Sequence, residues 1–185
     1  IRIGECHQKL ENYDTAILYY QKAVHEDPLL DKGWLFLANL YLDQNNYEKA
    51  SYSIAKALKI DESNSLYWRR YSEIKLKLSF FEEAINGFKK CLFLGDDDVN
   101  TFIALSDVLA FIGEFEEALS VLFKAQKMHI NLAEIEYRLA ALSLILNKKK
   151  IGTIHLINGM KIDYECHIIL KAVSYTHLRA HETKC

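Results

Sequence analysis

A phase of 34 residues constrains this chain more than any single motif. The stretch from Trp34 to Ala57, WLFLANLYLDQNNYEKASYSIAKA, returns in outline at that step along the sequence. From Leu37 the step reaches Tyr71, Leu105 and Leu139, and backwards Ile3, which makes a column of mostly bulky side chains. The next position is small throughout: Gly4, Ala38, Ser72, Ser106, Ala140. Two further small columns follow, Ala16, Ala50, Ala84, Ala118, Gly152 and Ala23, Ala57, Cys91, Ala125, Gly159, with the large column Tyr20, Ile54, Phe88, Leu122, Leu156 between them. Helices that cross closely need small side chains at the crossing and large ones in the adjacent gaps. Unrelated amphipathic helices would show a period of about 3.6 residues but no long-range phase.

The phase divides the chain into units 1–30, 31–64, 65–98, 99–132 and 133–166, with a further unit starting over 167–172. Each unit reads as two helices around a short polar turn; in the second unit they run near 31–44 and 47–60, with Gln44, Asn45 and Asn46 between. One such pair cannot bury its apolar face alone and draws stability from its neighbours. One proline and seven glycines suit an almost wholly helical chain. Residue 1 is Ile and falls inside a first helix, so a unit truncated at its start is expected. The fifth unit is degenerate: Lys149 stands where Tyr13, Tyr47, Phe81 and Phe115 supply an aromatic ring. Asp98, after the polar run Gly95 to Asp97, is placed to cap the following helix. That run lacks the alternating oxygen ligands and terminal Glu of a calcium loop.

Trp34, Leu37, Ala38, Tyr41, Ala50, Ile54 and Ala57 follow the W-x2-L-G-x2-Y…A-x3-F…A skeleton, and the segment resembles a tetratricopeptide (TPR) unit. The resemblance implies an all-α fold, a right-handed α-solenoid of antiparallel helix pairs, whose first helices line a concave groove. Transferred onto this sequence, that lining contains Leu35, Phe36 and Asn39, then Arg69, Arg70 and Glu73, then Ile103, Ala104 and Asp107, then Tyr137 and Arg138. Among these, Phe36, Asn39, Arg69, Arg70, Glu73, Ile103, Asp107, Tyr137 and Arg138 are the candidate partner contacts. The implied function is a non-catalytic scaffold that binds a protein or peptide segment through apolar anchors and a carboxylate. TPR domains that hold chaperone C-termini use Lys, Asn, Asn, Lys and Arg across three units. The matching positions here read Leu35, Asn39, Arg70, Asn100 and Ala104, or, one unit later, Arg69, Glu73, Ala104, Glu134 and Arg138; the first keeps one residue and the second only its end arginines with acids between, which argues against that subclass.

Val173 to Thr183, VSYTHLRAHET, resembles a translated adapter sequence used in preparing DNA libraries, so 173–185 is expected to be a non-native tail outside the fold. His177, His181 and Cys185 would share a helix face with metal-ligand chemistry and are set aside with it. No metal site and no cofactor is expected elsewhere. The sequence contains no P-loop, GxGxxG, HExxH, GxSxG or paired CxxC, and no catalytic residue is assigned. His7, His25, His129 and His155 have no orienting partner that the sequence identifies. Glu82-Glu83 and Glu116-Glu117 begin helices, where acidic residues favour the dipole.

A net charge of −2 without a basic stripe speaks against nucleic acid, although a helical-repeat RNA binder is the alternative of another class. A third reading is a regulatory arm of a larger enzyme or sensor. No apolar run is long enough for membrane insertion. The four cysteines show no disulfide spacing, which favours a reduced, cytoplasmic setting. Cys6, in the column of Leu40, Ile74, Val108 and Leu142, and Cys91, in a small column, read as core residues; Cys166 falls between units.

Overall fold

The computed structural model describes residues 1–128 and 132–182, and of 166–182 the backbone only. The readings made at His129 and Cys185, and those that concern the side chains of Cys166, His177 and His181, lie outside what is described. Among the described residues the chain is helical throughout: α1 (Arg2–Lys9), α2 (Tyr13–Glu26), α3 (Asp31–Asp43), α4 (Tyr47–Ile60), α5 (Ser65–Lys77), α6 (Phe81–Phe93), α7 (Val99–Phe111), α8 (Phe115–Met128), α9 (Ala133–Ile145) and α10 (Lys149–Glu182). The chain divides into two compact units, Ile1–Thr101 and Phe102–Cys185. In the first, α1 pairs with α2, α3 with α4 and α5 with α6, while α2 packs on α3 and α4 on α5. In the second, α9 lies between α8 and α10.

The turn inside each helix pair is built the same way. Glu11, Asn45, Ser79, Gly113 and Asn147, spaced by the same 34-residue step, all adopt a left-handed backbone, with φ of 59°, 57°, 63°, 90° and 58°. The residue after each donates its N–H five residues back, as in Asn46 N–H to the Tyr41 carbonyl at 2.7 Å and Phe80 N–H to the Lys75 carbonyl at 2.9 Å. These bonds satisfy carbonyls that a helix end leaves bare. The next helix starts at once, and Asn46 caps α4 by accepting from the Lys49 N–H at 3.3 Å. Asp98 accepts from the Asn100 N–H at 2.9 Å, as the sequence predicts.

The small columns stand at the helix crossings. Ala16, Ala50, Ala84 and Ala118 are fully buried, as are Ala38, Ser72, Ala57, Cys91 and Ala125. Ala23 alone among them is half-buried. The large column fills the gaps: Tyr20, Ile54, Phe88 and Leu122 have no exposed surface. Close approach leaves little spare room. A Cβ added to Gly159 would stand 2.6 Å from the Tyr137 ring. Burial, with Glu5 and Cys6 adding to it, pushes the Tyr20 hydroxyl up to about 12.

Three sequence expectations change here. Cys6 is exposed although Leu40, Ile74, Val108 and Leu142 in its column are buried. Leu156 is 43% exposed and Ile3 is 56% exposed, against full or nearly full burial of Ile54 and Leu37 in the same columns. A column position is covered by an adjacent helix pair; within the first unit the α1–α2 pair packs on α3, and within the second the α9–α10 pair packs on α8, so each has one such neighbour among the described contacts. α10 also continues through the expected start of a further unit at His167. Between Met160 and Glu182 there is no glycine or proline to end it. Cys91 does sit in the core, with its thiol 3.1 Å from the Ser65 carbonyl.

Candidate functional site

On α3 the positions Leu35, Phe36 and Asn39 lie roughly opposite Trp34, Leu37 and Tyr41 on the helical wheel at about 100° per residue. The second set builds the helix pair and the first forms the other face. Leu35, read from the sequence as lining, is only 8% exposed and belongs to the core. Phe36 is half-buried and stacks on Tyr20 with ring centroids 5.1 Å apart, so its ring serves both packing and surface. Asn39 is half-buried one turn further along.

On α5 the two arginines differ. Arg69 turns to the start of α7, where its guanidinium contacts the Asp98 carboxylate and lies 4.0 Å from Asp96. The Asn100 N–H, with Arg69 beside it, holds the Asp98 carboxyl below the usual carboxylate range. Arg69 therefore secures a helix cap. Arg70 pairs with Glu73 on its own helix at 2.7 Å, and its Nε is buried without an acceptor. The structure thus brings Phe36, Asn39, Arg70 and Glu73 onto neighbouring α3 and α5, with Arg69 drawn aside.

In the second unit Arg138 on α9 reaches Asp107 on α7 through two bonds of 3.0 Å and Glu134 through one of 2.7 Å. The Asp107 hydrogen bond leads the effects that keep its guanidinium charged. Tyr137 donates its hydroxyl to Asp163 on α10, which raises the hydroxyl pKa. Ile103 is half-buried. Phe111 and Leu144, at the far ends of α7 and α9, are 72% and 49% exposed.

Sequence reasoning missed a buried polar cluster in this unit. Glu136 occupies the column of Trp34, Trp68 and Phe102, yet is 7% exposed. It accepts from Gln126 Nε2 and lies 2.8 Å from His155 Nδ1. His155 therefore does have a partner, and the signal was an acid in an aromatic column. Glu83 also does more than favour a helix dipole. It takes Lys75 Nζ at 2.6 Å and the Tyr71 hydroxyl at 3.1 Å, and these bonds hold its carboxyl below the ordinary range.

Among the described residues no helix is long and apolar enough to cross a membrane. A tetratricopeptide repeat model matches residues 8–74. The chain is similar to tetratricopeptide repeat protein 21A of Mus musculus, 27% identical over 128 residues, covering 69% of this chain and 10% of that protein. It is also similar to general transcription factor 3C polypeptide 3 of Homo sapiens, 26% identical over 133 residues, covering 69% of this chain and 15% of that protein. The chain thus spans about a tenth to a seventh of the length of these relatives. Among solved structures, MamA matches with a TM-score of 0.85 and 16% identity over 90% of this chain and 98% of MamA. YrrB, described as a TPR protein with an unusual peptide-binding site, matches with a TM-score of 0.78 and 18% identity over 94% of this chain and 90% of YrrB. The fold class is accordingly that of the TPR α-solenoids, which in general act as protein–protein interaction scaffolds. Phased small columns, left-handed turns at one phase and the matched repeat model converge on one conclusion: the chain has the fold of the TPR α-solenoids, and its residues 8–74 match the tetratricopeptide repeat model.

Proposed function

We propose that this chain is a non-catalytic scaffold that captures a segment of a protein partner on the first-helix face of its repeats, with Phe36, Asn39 and Arg70 as the principal contacts. One observation carries the reading: the Arg70 Nε is buried and has no acceptor, although a carboxylate, Glu73, stands beside the same guanidinium. A buried donor without a partner is costly, and a backbone carbonyl or carboxylate from a bound peptide relieves it. Phe36 offers an aromatic surface and Asn39 an amide able to pair with an extended backbone. Glu73 sets the orientation of Arg70 and is displaced or shared on binding. Arg69 and Arg138, engaged with Asp98 and Asp107, support the face instead of contacting the ligand. Ile103, Asp107 and Tyr137 extend the same kind of surface within the second unit. The peptide-binding description of YrrB agrees with a ligand of this class.

The test is photo-crosslinking from an unnatural amino acid at Asn39 in the full chain, followed by identification of the captured polypeptide. Combined Phe36→Ala, Asn39→Ala and Arg70→Ala should weaken binding of that polypeptide by about tenfold or more. Unchanged affinity in a variant with unchanged circular dichroism contradicts the assignment.

A further inference from the structure

The opposite side of the first unit carries a cleft that the first-helix face does not use. It is a cavity of about 640 Å³ between α2 and α4, floored by α3 and lined by Val24, Trp34, Leu37, Tyr41, Lys49 and Tyr52 among others. Its rings are held in place. Trp34 donates its indole N–H to the Pro28 carbonyl at 3.0 Å and meets Tyr52 edge to face at 6.1 Å, while Gln21 donates to the Tyr41 hydroxyl at 2.8 Å. A second cleft lies 34 residues on, lined by Trp68, Tyr71, Glu83, Asn86, Gly87 and Lys90 among others, with a volume of about 340 Å³.

The two clefts are the same piece of architecture with different chemistry. In the second, Glu83 occupies the position of Lys49, and it is bound by Lys75 and Tyr71. Glu62 and Lys90 face each other there at 3.8 Å. Those charges are internally matched. In the first cleft Lys49 lies over the Tyr41 ring at 5.5 Å, while Lys56, beside the lining residues, lies over the ring of Tyr52 at 5.2 Å, and neither forms an ion pair with a described residue. Glu48 is the one carboxylate in the lining, and His25 stands on the opposite wall. Glu48 and Lys49 both line the cleft, and Lys56, one turn beyond Tyr52 on α4, leaves that edge with two ammonium groups to one carboxylate. An apolar aromatic-walled hollow with two unpaired ammonium groups on one edge is complementary to an apolar side chain flanked by acids.

From this contrast we infer that the Trp34–Tyr52 cleft is a second docking site, taking a short acidic segment of a protein partner through one large apolar side chain. The anchor fills the hollow against Trp34, Leu37 and Tyr52. Neighbouring carboxylates meet Lys49 and Lys56, whose positions on the aromatic rings keep them poised at the rim. The site is independent of Arg70 and its face.

Trp34 and Trp68 report on the two clefts separately through their indole N–H signals in a 15N-labelled full chain. The probe is an acetylated, amidated seven-residue peptide with a central phenylalanine and glutamates on both sides. Its titration should move the Trp34 indole signal saturably and leave that of Trp68 in place. Replacing the glutamates with lysines, or the phenylalanine with alanine, should each weaken binding by about tenfold, as should Lys49→Gln with Lys56→Gln for the acidic probe. The Phe36→Ala, Asn39→Ala, Arg70→Ala variant should bind the probe as the parent does. A stationary Trp34 signal, equal movement of both indoles, equal binding of the lysine peptide, or loss of the probe in the triple variant overturns the proposal.

Discussion

Ala84 shows how little chemistry and how much shape determines a position in this chain. It has no exposed surface, and neither do Ala16, Ala50 and Ala118 at the equivalent sites. Ala84→Leu forces three additional carbon atoms into a crossing that is already full. It should cost about 1 to 3 kcal/mol, measured as a lower midpoint in urea unfolding followed by circular dichroism. An unchanged midpoint would mean that the crossing can open without penalty. Such positions were legible in the sequence because a steric requirement recurs with the repeat. Cys6 and Leu156 were not, because a column records what a site accommodates when a neighbour covers it, and their neighbours differ. The same limit applies to Arg69 and Arg138. Their place on a helix face followed from the spacing, but their acid partners sit 29 and 31 residues away, on segments whose approach the spacing alone does not specify.

The turns within the helix pairs follow a rule that residue type conceals. Five positions at one phase require a left-handed backbone, yet they hold Glu11, Asn45, Ser79, Gly113 and Asn147. Gly113, Asn45 and Asn147 advertise the need while Glu11 and Ser79 do not, which is why the sequence reading identified the turns but not their common conformation. A Cβ in the left-handed region costs about 1 to 2 kcal/mol, less for Asn. Nothing stands within 4 Å of the place where a Cβ on Gly113 would be, so strain there would come from the backbone alone. Ser79→Gly should therefore stabilise the chain by roughly 1 kcal/mol or somewhat less after the entropy of glycine in the unfolded state is counted, and Gly113→Ala should destabilise it by a similar amount. Paired urea titrations of the two variants test this, and shifts of the same sign would refute it. Glu136 gives the converse case. Its column asks for an aromatic ring, and a buried acid is accepted only because Gln126 and His155 satisfy it.

For the whole chain, stability is a sum of helix-pair terms and neighbour terms, so protection should depend on where a pair stands in its unit. α4 packs on α3 and on α5, and Ile54 and Ala57 are wholly buried there. α1 has α2 as its partner and leaves Ile3, Cys6 and Leu10 open to solvent. Within the second unit, α9 is enclosed between α8 and α10, whereas α10 leaves Ile154, Leu156, Ile157 and Met160 exposed. Amide hydrogen exchange of the intact chain should thus be slowest in α4 and α9 and about a hundredfold faster in α1, with the exposed side of α10 intermediate. A single global rate for all helices would instead show that the chain opens as one cooperative body. In that case the small columns would transmit stability across the full array, and an end pair would gain as much from distant neighbours as from adjacent ones.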